Sequence, residues 1–324
     1  MTTFIKPALN IQQQIDQWIG RGLNVEDRAK AAHFLSVISY YRLSGYTLPF
    51  QVRGNANQNH KFKFGTTFDD ILTLYTFDRE LRLLVMDAVE RIEVALRTQI
   101  TNHMSVTHAA PHWYLDDKFF RDKYKHTKLL SDIEKEVSET KELFIVHYKD
   151  AYDTPENPPI WMVSELLSFG KISKLYDNLA NVNAGTKLLN DQKEIAKCFN
   201  VPSKVLRSWL EAITYTRNLC AHHSRLWNRE YAIVPMIPNK PAHWIRWPIN
   251  LATPNIDPTR RIYILLVILE YLLQEVNYES TWHWRLRYLM ERYPSIKKAN
   301  MGIPDNWLTD GFWRFRDEAP LVHS

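Results

Sequence analysis

Arg217 and His222 stand five positions apart in the run Thr216-Arg-Asn-Leu-Cys-Ala-His-His223. An arginine and a histidine suffice for one kind of chemistry, the transesterification of RNA, because the substrate's own 2′-hydroxyl is the nucleophile. Histidine is the side chain that takes and gives a proton near neutral pH. Arginine brings a fixed fork of donors to the charge that builds on a pentacoordinate phosphorus. Spacing alone decides little. The chain has 21 arginines and 12 histidines, so chance supplies roughly one such pair, and Arg28/His33 and Arg121/His126 share the spacing.

The setting separates the 217/222 pair from the others. Val205, Leu206, Trp209, Leu210 and Ile213 mark an apolar helix face that gives way to this polar cluster. Asn218 and His222 share a face, while Arg217 lies about 140° from His222 at roughly 100° per residue. A helix end loosens that geometry enough to bring both to one edge. Arg217, Arg225 and Arg229, with His222 and His223, concentrate positive charge suited to a phosphodiester. The alternative is that these cations merely cap a helix C-terminus, where positive charge is favoured anyway. Sequence physics leaves both open.

Most of the chain reads as helix, and the elements that would hold this cluster follow from periodicity. Ile11, Ile15, Trp18 and Ile19 define a first helix that Gly20-Arg-Gly22 stops, and a second is expected from Val25 to about Arg42, ended by Gly45. Residues 46–60, with Pro49, Gly54 and several asparagines, read as loop. A long helix is expected from 67 to about Met104, with Asp87/Arg91 and Glu93/Arg97 as i,i+4 pairs. A charged helix over 128–149 ends at Pro155, Pro158 and Pro159. Further helices are expected over 160–179, near 191–199, over 204–222 and 260–276, while 281–292 reads as aromatic and basic. The 233–258 connection carries six prolines. The fold class is all-α.

Composition excludes several other functions. Only nine of 324 residues are glycine, and no glycine-rich phosphate loop is present, which argues against nucleotide cofactors. Cys198 and Cys220 are too few for a disulfide framework or a cysteine-rich zinc site. His222-His223 with Cys220 makes a poor metal site, since adjacent helical histidines point about 100° apart. Ser224 has no oxyanion-hole motif beside it. No cofactor and no metal is expected. The N-terminus lacks a signal-peptide pattern, and the longest apolar stretch, 262–273, is short of the roughly 20 residues a span needs. The expectation is a cytoplasmic protein without membrane contact. A net charge of +5 is a weak field unless clustered.

Several blocks, in order, resemble the Abi-like family of bacterial abortive-infection proteins (AbiD/AbiF type). They are Tyr40-Tyr-Arg-Leu-Ser-Gly-Tyr46, Asp78-Arg-Glu-Leu-Arg82 with Glu90-Arg-Ile-Glu93, Pro159 to Lys171, Val205 to Ile213, and Arg217 to Asn228. The resemblance implies a HEPN-like helical bundle, phage defence, and a metal-independent ribonuclease site on Arg217 and His222. In that frame helices 68–104, 160–179, 204–222 and 260–276 form the bundle. The domains are then an N-terminal helical region 1–66, a bundle 67–280 with inserted helices 105–158, and an aromatic and basic tail 281–324. An acidic residue on a neighbouring helix is expected to orient the arginine. Glu165 is the first choice, with Glu90 or Glu93 behind it, and Asn218 would position His222 or the phosphate. Arg97/His103 reads as helix surface.

For RNA contact, Lys118, Arg121, Lys123 and Lys125 lie in one segment mixing charge and aromatics, and Arg285 and Arg287 in another beside Trp282, Trp284 and Tyr288. His223, Arg225 and Arg229 join them as RNA-binding candidates. Trp18, Trp161 and Trp209 read as core. The expected products carry 2′,3′-cyclic phosphates. One histidine per chain is thin for both acid and base, which motivates a homodimer with two facing motifs. Two competing readings stand beside the enzyme: an RNA-binding protein without catalysis, paired with a small regulatory RNA in a toxin–antitoxin-like complex, and a helical protein-interaction scaffold.

Overall fold

A computed structural model describes residue 3 and residues 7–52, 60–184, 187–238 and 257–314. Among the described residues the regular elements are helices, apart from one short antiparallel hairpin, β1 (Val182–Ala184) and β2 (Lys187–Leu189), with Asn183 opposite Leu188. The fold is all-α, as periodicity requires. Gly54 of the expected 46–60 loop, Pro241, Pro248 and Pro254 of the proline-rich connection, and the end of the C-terminal tail lie outside the described residues.

Packing divides the chain into two units, 1–81 with 289–296, and 82–288 with 297–324. The first cut falls inside a helix, because α4 (Phe68–Thr107) runs 40 residues without a break. Thr67 and Asp70 start it reciprocally: the Asp70 amide donates to Thr67 Oγ1 at 3.1 Å and the Thr67 amide to Asp70 Oδ2 at 2.8 Å.

In the first unit, α1 (Ile11–Gly20) opens on a capping box between Asn10 and Gln13 and buries Ile15 and Trp18. Its stop is the expected one, with Gly22 at φ 93°, a conformation glycine adopts without strain. The expected 25–42 helix is two. α2 (Arg28–Ile38) and α3 (Tyr40–Thr47) meet at Ser39, whose φ of 77° breaks the ladder and whose hydroxyl accepts from the Arg42 amide. Gly45 sits inside α3 and ends nothing. The Tyr46 hydroxyl donates to the fully buried Asp78 at 2.7 Å.

The second unit holds the rest. The charged stretch forms α5 (Lys123–Glu139) and α6 (Leu143–Ala151), and the expected 160–179 helix is α7 (Ile160–Leu166) and α8 (Phe169–Asn178). Leu167 and Ser168 between them are extended (ψ 136° and 156°), so the chain turns a corner there. Trp161, expected in the core, is 49% exposed, away from the face of α7 that buries Ile160, Val163 and Ser164, whereas Trp18 and Trp209 are buried as expected. α9 (Asp191–Lys197) leads to α10 (Ser203–Ala221), which packs against α8, α9 and α11 (Ile262–Val276). Gly170 on α8 permits the close approach: a Cβ there would lie 3.3 Å from Thr214 Cγ2. Every residue of α11 from Ile262 to Leu273 is buried, Glu270 included. Gln274 Nε2 donates to Glu270 Oε1 at 2.8 Å and His283 Nδ1, on α12 (Trp282–Arg292), lies 3.3 Å from it.

Candidate active site

α10 carries its core contacts on Val205, Leu206, Trp209, Leu210, Ala212, Ile213, Thr216 and Cys220. Trp209 Nε1 donates to the Met236 carbonyl and the Met236 amide to Ser208 Oγ, both at 2.8 Å, so the returning chain lies along the helix. This anchors the helix up to its last turn. Beyond Thr216 the polar residues begin: Arg217 is half-buried, and Asn218, His222 and His223 are exposed.

The helix ends in a defined turn. His222 is the C-cap, its amide donating to the Asn218 carbonyl at 3.0 Å. The His223 amide donates to Cys220 at 2.9 Å, and the Ser224 amide reaches back to Leu219 at 2.8 Å. This pair of bonds is the Schellman arrangement, which puts the residue after the cap in the left-handed region. His223 holds that position with φ 55°, where glycine is the usual occupant. Leu226 and Trp227, at 0% and 2% exposure, then pin the chain to the core. Arg82, itself 5% exposed on α4, donates to the Ser224 carbonyl at 3.5 Å. Sequence reasoning placed Arg82 in a family block without a role; here it holds the turn carrying both histidines.

The cations near this turn are engaged with main-chain oxygens. Arg229 Nε donates to the Arg225 carbonyl at 2.9 Å, Arg261 Nη1 to Asn228 at 3.1 Å and Arg260 Nη1 to Tyr231 at 3.3 Å. Arg260 also has a carboxylate, Asp257, at 3.6 Å. The Nε atoms of Arg217 and Arg261 are buried without a hydrogen-bond partner among the described residues. A carbonyl partner leaves the guanidinium charge of Arg229 and Arg261 uncancelled, which sets positive charge beside the end of α10. Arg260 and Arg261 were missed because they read as the mere start of an apolar helix. Their adjacency, two arginines before an apolar run, was the available signal.

The other basic candidates differ in their surroundings. Lys118 lies 2.6 Å from Asp116, Arg121 3.5 Å from Asp177, Lys123 3.3 Å from Asp117, and Lys125 3.9 Å from Asp177 and 4.0 Å from Asp122. The hydrogen bond from Lys118 holds the Asp116 carboxyl below its ordinary range. Four carboxylates thus face these four cations and offset most of their charge, although Asp177 also takes Arg207 at 3.5 Å. Arg285 sits 2.8 Å from Asp87, and Arg287 stacks over Trp284 with 5.5 Å to the ring centroid. The Asp87–Arg91 and Glu93–Arg97 pairs form as the i,i+4 spacing requires.

Glu165 is 58% exposed and its partner is Arg97, at 3.6 Å, rather than Arg217. Glu93 holds the same guanidinium, which also donates to the Leu167 carbonyl at 2.7 Å, the C-cap of α7. Arg97 is therefore no surface residue: its side chain is 15% exposed and ties α4 to the corner after α7. Glu90 is exposed. His103 is likewise engaged. Its Nε2 lies 2.8 Å from Asp191 Oδ1, and His108 Nε2 lies 3.1 Å from Oδ2. Burial raises the Asp191 pKa, but the two imidazole hydrogen bonds and their charge outweigh it, and the carboxyl rests below its ordinary value. This clamp joins the end of α4 to the start of α9, one of the helices against which α10 packs.

Comparison with known families bears on residues 33–228, which match the model of the Abi-like protein family. The match covers more than half the chain. The chain belongs to the Abi-like family. Membership suggests a role in abortive infection, the bacterial response to phage. No curated protein and no solved structure matches the chain. The matched segment includes Arg82, Glu165 and the whole of α10 with its terminal turn, and stops at Asn228, before Arg260 and Arg261. Among the described residues no helix is long and apolar enough to cross a membrane.

Proposed function

We propose that this Abi-like protein is a metal-independent endoribonuclease of the HEPN type, close to the AbiD/AbiF kind, that cleaves RNA during phage defence. The observation that carries the reading is the end of α10, where Arg217 lies near the helix C-terminus and His222 is its C-cap, beside arginines engaged with carbonyls. RNA is laid along that positive end. A histidine draws the proton from a 2′-hydroxyl, the oxygen attacks its neighbouring phosphorus, and Arg217 holds the charge that develops on the phosphoryl oxygens. The 5′-oxygen leaves, giving a 2′,3′-cyclic phosphate and a 5′-hydroxyl. His222 is the proton-transfer residue, and Asn218 positions it or the phosphate. The reaction draws on no cofactor. Glu165, through Arg97, steadies the corner after α7 instead of touching Arg217. A homodimer with its two motifs facing a shared cleft is the assembly proposed.

The test incubates the purified wild type and His222→Ala with total RNA in EDTA and examines fragment ends. Cyclic-phosphate ends from the wild type and none from the variant support the enzyme. RNA held equally by both and left uncut points to a binding protein, and no RNA on either points to a scaffold.

A further inference from the structure

We infer that His223 is the second proton-transfer group of the site, so that acid and base come from adjacent residues of one chain. The inference rests on the ribonuclease reading above. Its own evidence is the backbone at His223. That residue occupies the left-handed position of the turn, at φ 55°, with the Ser224 and His223 amides bound back to Leu219 and Cys220. Glycine fills this position at no steric cost, whereas a side chain is strained there. Backbone strain held in place by its surroundings is a mark of a residue kept for its side chain. The surroundings here do hold it: Arg82 grips the next carbonyl and Leu226 and Trp227 are buried immediately after. The side chain so retained is exposed, like that of His222 beside it, at the positive end of α10.

A helical continuation would turn the two imidazoles about 100° apart around the axis. The left-handed residue ends that rotation and redirects the chain, so the second imidazole departs from the helical path and both histidines serve one end of the helix. The chemistry requires two such groups. As the 2′-oxygen bonds to phosphorus, one imidazole accepts its proton; as the phosphorus–O5′ bond breaks, the other imidazolium delivers a proton to the leaving 5′-oxygen. Exchange with water then restores both. With two histidines on one chain, the proton balance no longer requires a partner subunit.

The test uses the full chain with two substitutions, His223→Gly, which suits the left-handed backbone, and His223→Asn, which tolerates it and keeps hydrogen-bonding capacity without proton transfer at neutral pH. Cleavage of a defined RNA in EDTA is followed as kcat/KM against pH, with thermal unfolding alongside. The expected result is a loss of about 100-fold or more in both variants with the unfolding temperature held or raised. The bell-shaped wild-type pH profile should lose one limb in the residual activity. Activity within about threefold of wild type in either variant, or a lower rate with both limbs intact, overturns the inference. A wild type that cuts no RNA overturns the ribonuclease reading instead, and a wild type that cuts while His222→Ala does not, with His223→Asn fully active, overturns only the role of His223.

Discussion

Replacing Asp191 with alanine tests whether the clamp between α4 and α9 supports the helix that carries the site. The Asp191 side chain is 2% exposed, and its two oxygens are taken by His103 and His108, at 22% and 9% exposure. Removing one member of a buried, hydrogen-bonded charge group costs about 3–5 kcal/mol. His103 is 22% exposed and can turn to water once the carboxylate is gone, so the loss should fall at the lower end, about 3 kcal/mol. With a urea m-value of about 3 kcal/mol/M, the midpoint at pH 7 should drop by about 1 M. The sign with pH follows from the direction of the shift. A carboxyl whose folded pKa is depressed contributes stability above its unfolded pKa and loses it as pH falls through the folded value. The gap between wild type and Asp191→Ala should therefore be widest with the carboxylate ionised, begin to narrow near about pH 4, and close only as pH falls through the lower folded value. Urea titrations at pH 7, 5 and 3.5 measure it. A midpoint change under about 0.3 M at pH 7, or a gap that persists undiminished at pH 3.5, refutes the clamp.

Charge placement gives a second expectation. Arg229→Ala and Arg261→Ala should each weaken RNA binding and lower the slope of log affinity against log salt by about 0.7 for single-stranded RNA. Lys118→Ala and Lys125→Ala, whose charges face Asp116, Asp122 and Asp177, should leave the slope nearly unchanged; filter binding across a salt series separates the two groups. Packing gives a third. Gly170→Val would crowd Thr214, since even a bare Cβ at position 170 would lie 3.3 Å from Thr214 Cγ2. Overpacking costs about 1–3 kcal/mol, visible as a lower urea midpoint.

The sequence made the long helices legible because three-and-four spacing sustained over many turns is a pattern that only a helix satisfies: α4 and α10 lie within a few residues of where periodicity puts them. It did not show the breaks at Ser39 and at Leu167–Ser168. Neither involves glycine or proline, and both are corners imposed by packing between helices, which one segment's pattern does not contain. Trp161 was misread because α7 buries the face of Ile160, Val163 and Ser164 and leaves Trp161 off it, a choice its apolar neighbours do not reveal. The candidate site could be named from the sequence as a local run, Arg217 to Arg229, because its residues are contiguous. What surrounds them was not. Asp177 neutralises Arg121 and Lys125 from more than fifty residues away, Arg82 reaches Ser224 across 142 positions, and Asp191 captures His103 across 88. Such partners come together only when the chain folds, and they decide which cations keep their charge for a ligand.

The central claim is that the end of α10 cleaves RNA with the substrate's own hydroxyl. The most direct measurement presents the wild type, in EDTA, with one RNA in two forms, unmodified and with every 2′-hydroxyl methylated. The prediction is cleavage of the unmodified RNA to 2′,3′-cyclic phosphate ends, none of the methylated RNA, and none of either by His222→Ala. Cleavage of the methylated strand, or of the unmodified strand by the variant at the wild-type rate, contradicts it.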